Sequence, residues 1–218
     1  MQIEVLPDAE AVAKRAAAYV AGEARTAVAD HERFTFAVSG GHTPWAMFAH
    51  LAGEDVPWAQ TELYQVDERV APAGDPDRNL AHLQESLPAQ SDADVHAMPV
   101  EDADLAAAAA RYATSLPERF DLVHLGLGPD GHTASLVPGD PVLDVDDRGV
   151  ALTGTYMGRQ RMTLTYPTLN RALQVLWLVT GEDKVDALRR LQAGDRSIPA
   201  GRVEAVNAVI IADAAAAG

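Results

Sequence analysis

The stretch Gly126-Leu127-Gly128-Pro129-Asp130-Gly131-His132-Thr133-Ala134-Ser135 sets a carboxylate and an imidazole two residues apart in a glycine-rich bend. An imidazole titrates near neutrality, so His132 can take a proton from water, and Asp130 beside it can fix the tautomer that does so. A lone loop histidine is more often structural or simply exposed; the flanking glycines and a position at a strand's end favour catalysis here. Ser39-Gly40-Gly41-His42-Thr43-Pro44 puts two flexible residues and two hydroxyls where a strand gives way to a helix, so that bare N–H groups and the helix dipole can meet a phosphate. The same residues would also make a tight turn with a hydroxyl cap and an early proline, and this stretch alone does not decide between the two.

Asp67-Glu68-Arg69 follows another strand. Alternation sends neighbouring side chains to opposite sides, so one acid, with Asp67 as the candidate, and Arg69 face a ligand; a solvated charged loop is the alternative. Arg161 and Lys184 are either fixed charges for a phosphate or surface cations, and spacing alone favours the surface.

Several chemistries are excluded. The chain lacks the G-x-G-x-x-G dinucleotide fingerprint and the Gly-Lys-Ser/Thr ending of a nucleotide P-loop, and no third glycine follows Gly126 and Gly128 at the required place. It has no cysteine, which removes disulfides, thiol nucleophiles and thiolate-bound zinc. No second histidine stands at a metal-ligand spacing from His132, so no metal and no cofactor are expected. With 17 Lys plus Arg against 32 Asp plus Glu, a net charge of -15, the long-range field repels nucleic acid. It also repels a small phosphorylated substrate, so a phosphate site must be built locally from N–H groups and a few placed cations.

These candidates need elements to position them. Residues 8–30 read as an amphipathic helix, followed by a strand at 34–38, the glycine turn and a helix at 45–51. A strand at 63–66 runs into the charged triplet and a Pro, Gly and Asp-rich loop, whose residues 71–77 offer little to bury and are expected to form a mobile edge. Then come a helix at 80–87, a short strand at 95–100, a helix at 103–115 and a near-continuous apolar strand at 120–127. Weaker strands at 150–153 and 162–165 precede a strong one at 175–180, a helix at 182–191 and a last strand at 208–212. Apolar strands alternating with helices indicate an α/β, Rossmann-like, doubly wound fold, a mainly parallel sheet with helices on both faces, expected as one domain over residues 1–218. Every polar cluster follows a strand, which is where such sheets bind ligands. No segment has membrane-spanning or signal-peptide character, so a cytoplasmic protein, a monomer or simple homo-oligomer, is expected.

Taken in order, SGGHTP at 39–44, DERVAP at 67–72 and LGLGPDGHTASLVPG at 125–139 resemble the 6-phosphogluconolactonase family, relatives of the glucosamine-6-phosphate deaminases. The resemblance continues through Asn79, RMTLTYPTLN at 161–170, VTGEDK and IPAGRV. It implies hydrolysis of a sugar-phosphate lactone. The phosphate would lie on Ser39, Gly40, Gly41, His42 and Thr43 with help from Arg161 and Lys184. His132 would be the general base on water, oriented by Asp130, with Arg69 beside the lactone and Asp67, Asn79, Gly128 and Gly131 lining the site. His42, Arg78 and Val137 depart from the expected pattern, where a small hydroxyl, Ser and Phe are usual. The deaminases carry Phe-Asn-Glu-Pro after Asp-Gly-His, whereas Thr133-Ala134-Ser135-Leu136 stands here, and DER replaces their DEY. A non-catalytic sugar-phosphate sensor is the rival from another class; no appended helix-turn-helix is evident in the 218 residues.

Overall fold

The computed structural model describes residues 1–204 and 206–218. Seven strands form an all-parallel sheet: β1 (Gln2–Leu6), β2 (Phe34–Val38), β3 (Thr61–Gln65), β5 (Asp94–His96), β6 (Leu122–Gly126), β9 (Gln174–Val179) and β10 (Ala208–Asp213). Their order is β1-β10-β9-β6-β2-β3-β5. A smaller antiparallel sheet of β4 (Asp67–Arg69), β8 (Arg161–Leu164) and β7 (Val150–Leu152) sits beside it, with β8 in the middle.

The inner strands are buried on both faces because alternate residues feed two cores. Along β9, Leu176 and Leu178 enter one core and Val175, Trp177 and Val179 the other. The first core is closed by α1 (Ala9–His31), α2 (His42–Leu51) and Leu83 of α3 (Asn79–Ser86). The second is closed by α4 (Leu105–Ser115), the small sheet, α5 (Tyr166–Leu169), α6 (Val185–Gln192) and α7 (Ala214–Ala217). Helix α1 starts on Asp8, whose carboxylate accepts the Ala11 N–H at 2.8 Å, and it buries Val12, Ala13, Ala16, Ala17, Val20, Ala21 and Ala24. Mostly small residues on that face let the helix backbone approach the sheet closely. Among the described residues no helix is long and apolar enough to cross a membrane.

The doubly wound, mainly parallel reading of the sequence stands. Two features differ from it. Strand β1 was not expected; it is a half-exposed edge strand paired only with β10, so it shows none of the apolar continuity of the inner strands. The triplet Asp67-Glu68-Arg69 is a strand rather than a loop: the chain leaves the large sheet at Gln65, pivots at Val66, and Asp67, Glu68 and Arg69 face Thr163, Met162 and Arg161 across an antiparallel ladder.

Glu68 ties this pivot together. Fully buried, its carboxylate accepts the Gln65 amide at 2.9 Å and the backbone N–H groups of Arg69, Asn79 and Leu80 at 2.8 Å each. The last two are free donors at the start of α3, so Glu68 caps that helix from a distant strand. The equally buried Arg78 guanidinium lies 3.1 Å from Glu68 and 2.9 Å from Glu101. Burial works to lower the Arg78 pKa, but the two carboxylates outweigh it and hold it raised. Removing one partner of a buried pair leaves the other charge uncompensated. Glu68→Ala is therefore expected to destabilise the fold by about 3–5 kcal/mol in chemical denaturation, and Glu68→Leu with Arg78→Met by clearly less. Equal losses would show that the pair itself is not what is missed.

Candidate active site

The strand order reverses between β2 and β6: the chain goes β2 to β3 to β5 on one side, then returns to the other side of β2. The loops leaving these neighbouring strands diverge, and beyond the carboxyl ends of β2, β6 and β9, against β4, lies a cleft of about 430 Å³.

On one wall the Ser39–Thr43 loop leads from β2 into α2, whose first turn has no side-chain cap. Its N–H groups therefore remain available to an anion. Gly40 is required by close approach, since a Cβ there would stand 2.0 Å from the Asn79 amide oxygen. The Thr43 hydroxyl lies 2.9 Å from that of Thr180 at the end of β9.

The opposite wall is the bend after β6. Asp130 accepts the His132 backbone N–H at 3.1 Å and its ring Nδ1–H at 2.6 Å. Partial burial works to raise the Asp130 pKa, but these bonds to His132 outweigh it and hold the carboxyl below its usual value. An ionised carboxylate only accepts, so Nδ1 carries the proton and Nε2 is left with a free lone pair. The turn is closed by the Gly128 N–H on the His132 carbonyl at 2.8 Å, and a Cβ on Gly128 would meet the imidazole at 2.0 Å. Tyr156 packs edge-on against His132 with centroids 5.6 Å apart, while the Arg161 guanidinium lies over the Tyr156 ring, 5.0 Å from its centroid.

Strand β4 forms the floor between them. Asp67 accepts the Ser135 hydroxyl at 2.5 Å, and its main-chain carbonyl accepts the Asn79 amide at 2.9 Å. Arg69 donates to the Asn79 amide oxygen and the Asp77 carbonyl, both at 2.7 Å. Burial lowers the pKa of Arg161 despite the facing Asp67, and its Nε has no partner among the described residues. Lys184 Nζ lies 2.7 Å from its neighbour Asp183.

Ser39, Gly40, Gly41, His42, Thr43, Asp67, Arg69, Asn79, Gly128, His132, Arg161 and Lys184 thus share one cleft. The choice left open for Arg161 and Lys184 resolves toward the cleft rather than the open surface. Asp130 touches His132 from outside the lining. Gly131 is also outside it: with φ +81° it packs on Ile198 and accepts the Ala200 N–H, so it shapes the bend from behind. Arg78 serves Glu68, and Val137 is buried. The expected mobile edge at 71–77 is tied to the segment bearing Tyr156, because Arg159 reaches Asp75 and Asp77 at 3.0 Å. Among the described residues no group of three or more His, Asp or Glu side chains is placed to hold a metal ion.

Sequence reasoning missed Tyr156, Asp183 and His124, which also shape the site. Tyr156 is held by a tight turn through Met157 and Gly158, both at positive φ, and Gly158 was the available signal. His124 was marked by being the one ionisable side chain inside the apolar run of β6.

The fold and this cleft define a doubly wound α/β enzyme with a histidine–carboxylate pair opposite a glycine loop at its switch point. The family model for glucosamine-6-phosphate isomerases/6-phosphogluconolactonase matches residues 7–211, and the chain belongs to that family. The 6-phosphogluconolactonase of a Synechocystis species is 36% identical over 208 residues, covering 88% of this chain and 85% of that one. The crystal structure of 6-phosphogluconolactonase from Thermotoga maritima superposes with a TM-score of 0.87 at 25% identity, over 97% of this chain and 98% of its own. A monomeric glucosamine-6-phosphate deaminase shares the fold, with a TM-score of 0.86 at 18% identity over 100% and 99% of the two chains.

Burial of His124 drives its pKa down to about 3. In the unfolded chain a histidine titrates near 6.5, so between about pH 6.5 and about 3 the unfolded state binds a proton that the native state refuses. Stability is expected to fall as pH drops through this window, with a contribution of up to about 1.4 kcal/mol per pH unit from this residue. Urea unfolding of wild type and His124→Leu at several pH values checks it: the variant should lose that part of the slope, and parallel curves would contradict the assignment.

Proposed function

We propose that this chain hydrolyses 6-phospho-D-glucono-1,5-lactone to 6-phospho-D-gluconate, the lactonase step of the oxidative pentose phosphate pathway, using water activated by His132. The observation that carries the chemistry is the 2.6 Å contact between Asp130 and His132 Nδ1, which leaves Nε2 as the proton acceptor at a cleft lined by the glycine loop. The relative that is 36% identical bears the 6-phosphogluconolactonase name, whereas likeness to the deaminase is of fold. The stretch Thr133-Ala134-Ser135-Leu136 after Gly131 and His132 supports the same choice, since Phe-Asn-Glu-Pro is expected there in a deaminase.

In this reading the phosphate lies on the N–H groups of the Ser39–Thr43 loop and at the start of α2, with Arg161 and Lys184 supplying charge. Asp183 keeps Lys184 in place in the free enzyme, and Arg161 lies over the Tyr156 ring with its charge facing Asp67. His132 Nε2 takes a proton from water as its oxygen bonds to the lactone carbonyl carbon, and the carbonyl becomes an oxyanion. Arg69, fixed by Asn79, stabilises that oxyanion. Collapse restores the C=O bond and breaks the bond to the ring oxygen, which receives the proton from His132 Nε2–H. The carboxylic acid so formed releases its own proton to solvent. We place the protein in the cytoplasm as a unit spanning residues 1–218; its negative charge disfavours a nucleic-acid partner, and the phosphorylated substrate is held by the local donors and cations of the cleft.

Hydrolysis of freshly made lactone, followed in a chelator and corrected for the spontaneous rate, tests this. His132→Ala is expected to lose about 10²-fold or more of the catalysed rate while still binding 6-phosphogluconate. Wild-type enzyme that binds product without accelerating hydrolysis would indicate a sensor, and consumption of glucosamine-6-phosphate alone a deaminase. Arg69→Ala should lower kcat by about 10²-fold; an unchanged kcat would remove its oxyanion role.

A further inference from the structure

One ionisable group at the cleft has no part in that mechanism. His124 is fully buried in β6 at the point where the sheet order reverses, paired across to Val38, the last residue of β2. The next residue, Ser39, begins the glycine loop and is itself buried. On the β3 side the Val38 carbonyl is still engaged by the Val66 N–H at 3.0 Å. On the β6 side the ladder stops: the Ser39 N–H turns to the His124 ring and donates to Nδ1 at 3.3 Å. A ring nitrogen that accepts carries no proton, so in the neutral ring Nε2 bears it. That Nε2 is buried and has no partner among the described residues, and neither has the Ser39 hydroxyl, although both residues line the cleft. Buried polar atoms without a partner are rare enough to require a reason.

We infer that His124 is a positioning residue for the phosphate site, its Nδ1 anchoring the start of the glycine loop and its Nε2–H kept as a donor for a phosphate oxygen, directly or through one water. This rests on the reading of that loop as the phosphate site. A neutral donor suits a chain of net charge -15, because it recruits no carboxylate of its own, whereas Lys184 is held by Asp183. Burial keeps the ring uncharged, with a pKa of about 3, so the same tautomer persists throughout the working pH range.

The test uses inorganic phosphate as the probe in calorimetric titration, alongside KM and kcat for the phosphorylated lactone and for unphosphorylated glucono-1,5-lactone. His124→Leu removes the Nδ1 acceptor and the Nε2 donor. His124→Asn restores an acceptor at the level of Nδ1, and His124→Gln restores an amide at the level of Nε2. The leucine variant should bind phosphate about tenfold more weakly and show a similar rise in KM for the phosphorylated lactone alone, with kcat within about threefold. Asparagine and glutamine should each recover part of that loss, and ¹H–¹⁵N correlation spectra should show the Nε2–H tautomer in wild type. Phosphate affinity unchanged by leucine, all three variants losing affinity only in step with Tm, or an Nδ1–H tautomer would each overturn the inference while leaving the lactonase reading intact. Failure of wild type to bind phosphate would overturn both the phosphate loop and this role. A protein that binds phosphate through His124 but turns over no lactone would support the inference and sink the enzyme.

Discussion

Strand β6 returns to pair with β2 on the side that β3 leaves free, and the two strands then send their chains in different directions. A parallel sheet directs all its carboxyl ends one way, so this reversal opens space between the two outgoing loops on a single edge. The rest of the site follows from that constraint. The loop from β2 must turn into α2 with its N–H groups uncovered, and the loop from β6 must fold back sharply enough to bring His132 beside it. Both requirements appear as close approaches: Gly40 lies under Asn79, and Gly128 under the imidazole of its own bend. Neither position has room for a side chain.

A second constraint is charge. Two cations of the cleft are held by partners, Lys184 by Asp183 and Arg69 by Asn79 and the Asp77 carbonyl, whereas Arg161 feels the charge of Asp67 without pairing to it. Such partners hold long side chains in one arrangement before a ligand arrives, which reduces what binding must order. The small antiparallel sheet does much of this work. By turning at Val66 the chain places Asp67 and Arg69 on the ligand side of β4 and Glu68 beneath, where it caps α3 and fixes Asn79. One triplet therefore serves the cleft with its odd members and the fold with its middle one.

That division was partly legible. Period-two alternation said that one acid would accompany Arg69, but three residues are too few to announce a strand whose partner lies nearly a hundred positions later. The inner strands β2, β6 and β9 were readable close to their bounds because burial on both faces demands continuous apolar runs. Edge strand β1 carries no such demand and depends on β10 for its definition. In the site, residues held by local turn chemistry, such as His132 with Asp130, were visible. Tyr156 was not, because nothing in its own neighbourhood says that its ring will lie between His132 and Arg161. His124 was hidden for another reason: a histidine in an apolar strand reads as a tolerated exception until the Ser39 N–H, free of the strand ladder, is found donating to its ring.

The pairing of β1 has a consequence for how the molecule assembles. Gln2 lies opposite Val209 and Leu6 opposite Asp213, and β1 has no other neighbour in the sheet. Helix α1, which follows it directly, packs on β10 as well as on β2. The opening residues thus have no sheet to join until the chain through Asp213 is in place, and closing so long a loop is entropically slow. Chain order delivers β2, β3 and β6 well before β10, so the strands of the switch point have their partners at hand while β1 still has none.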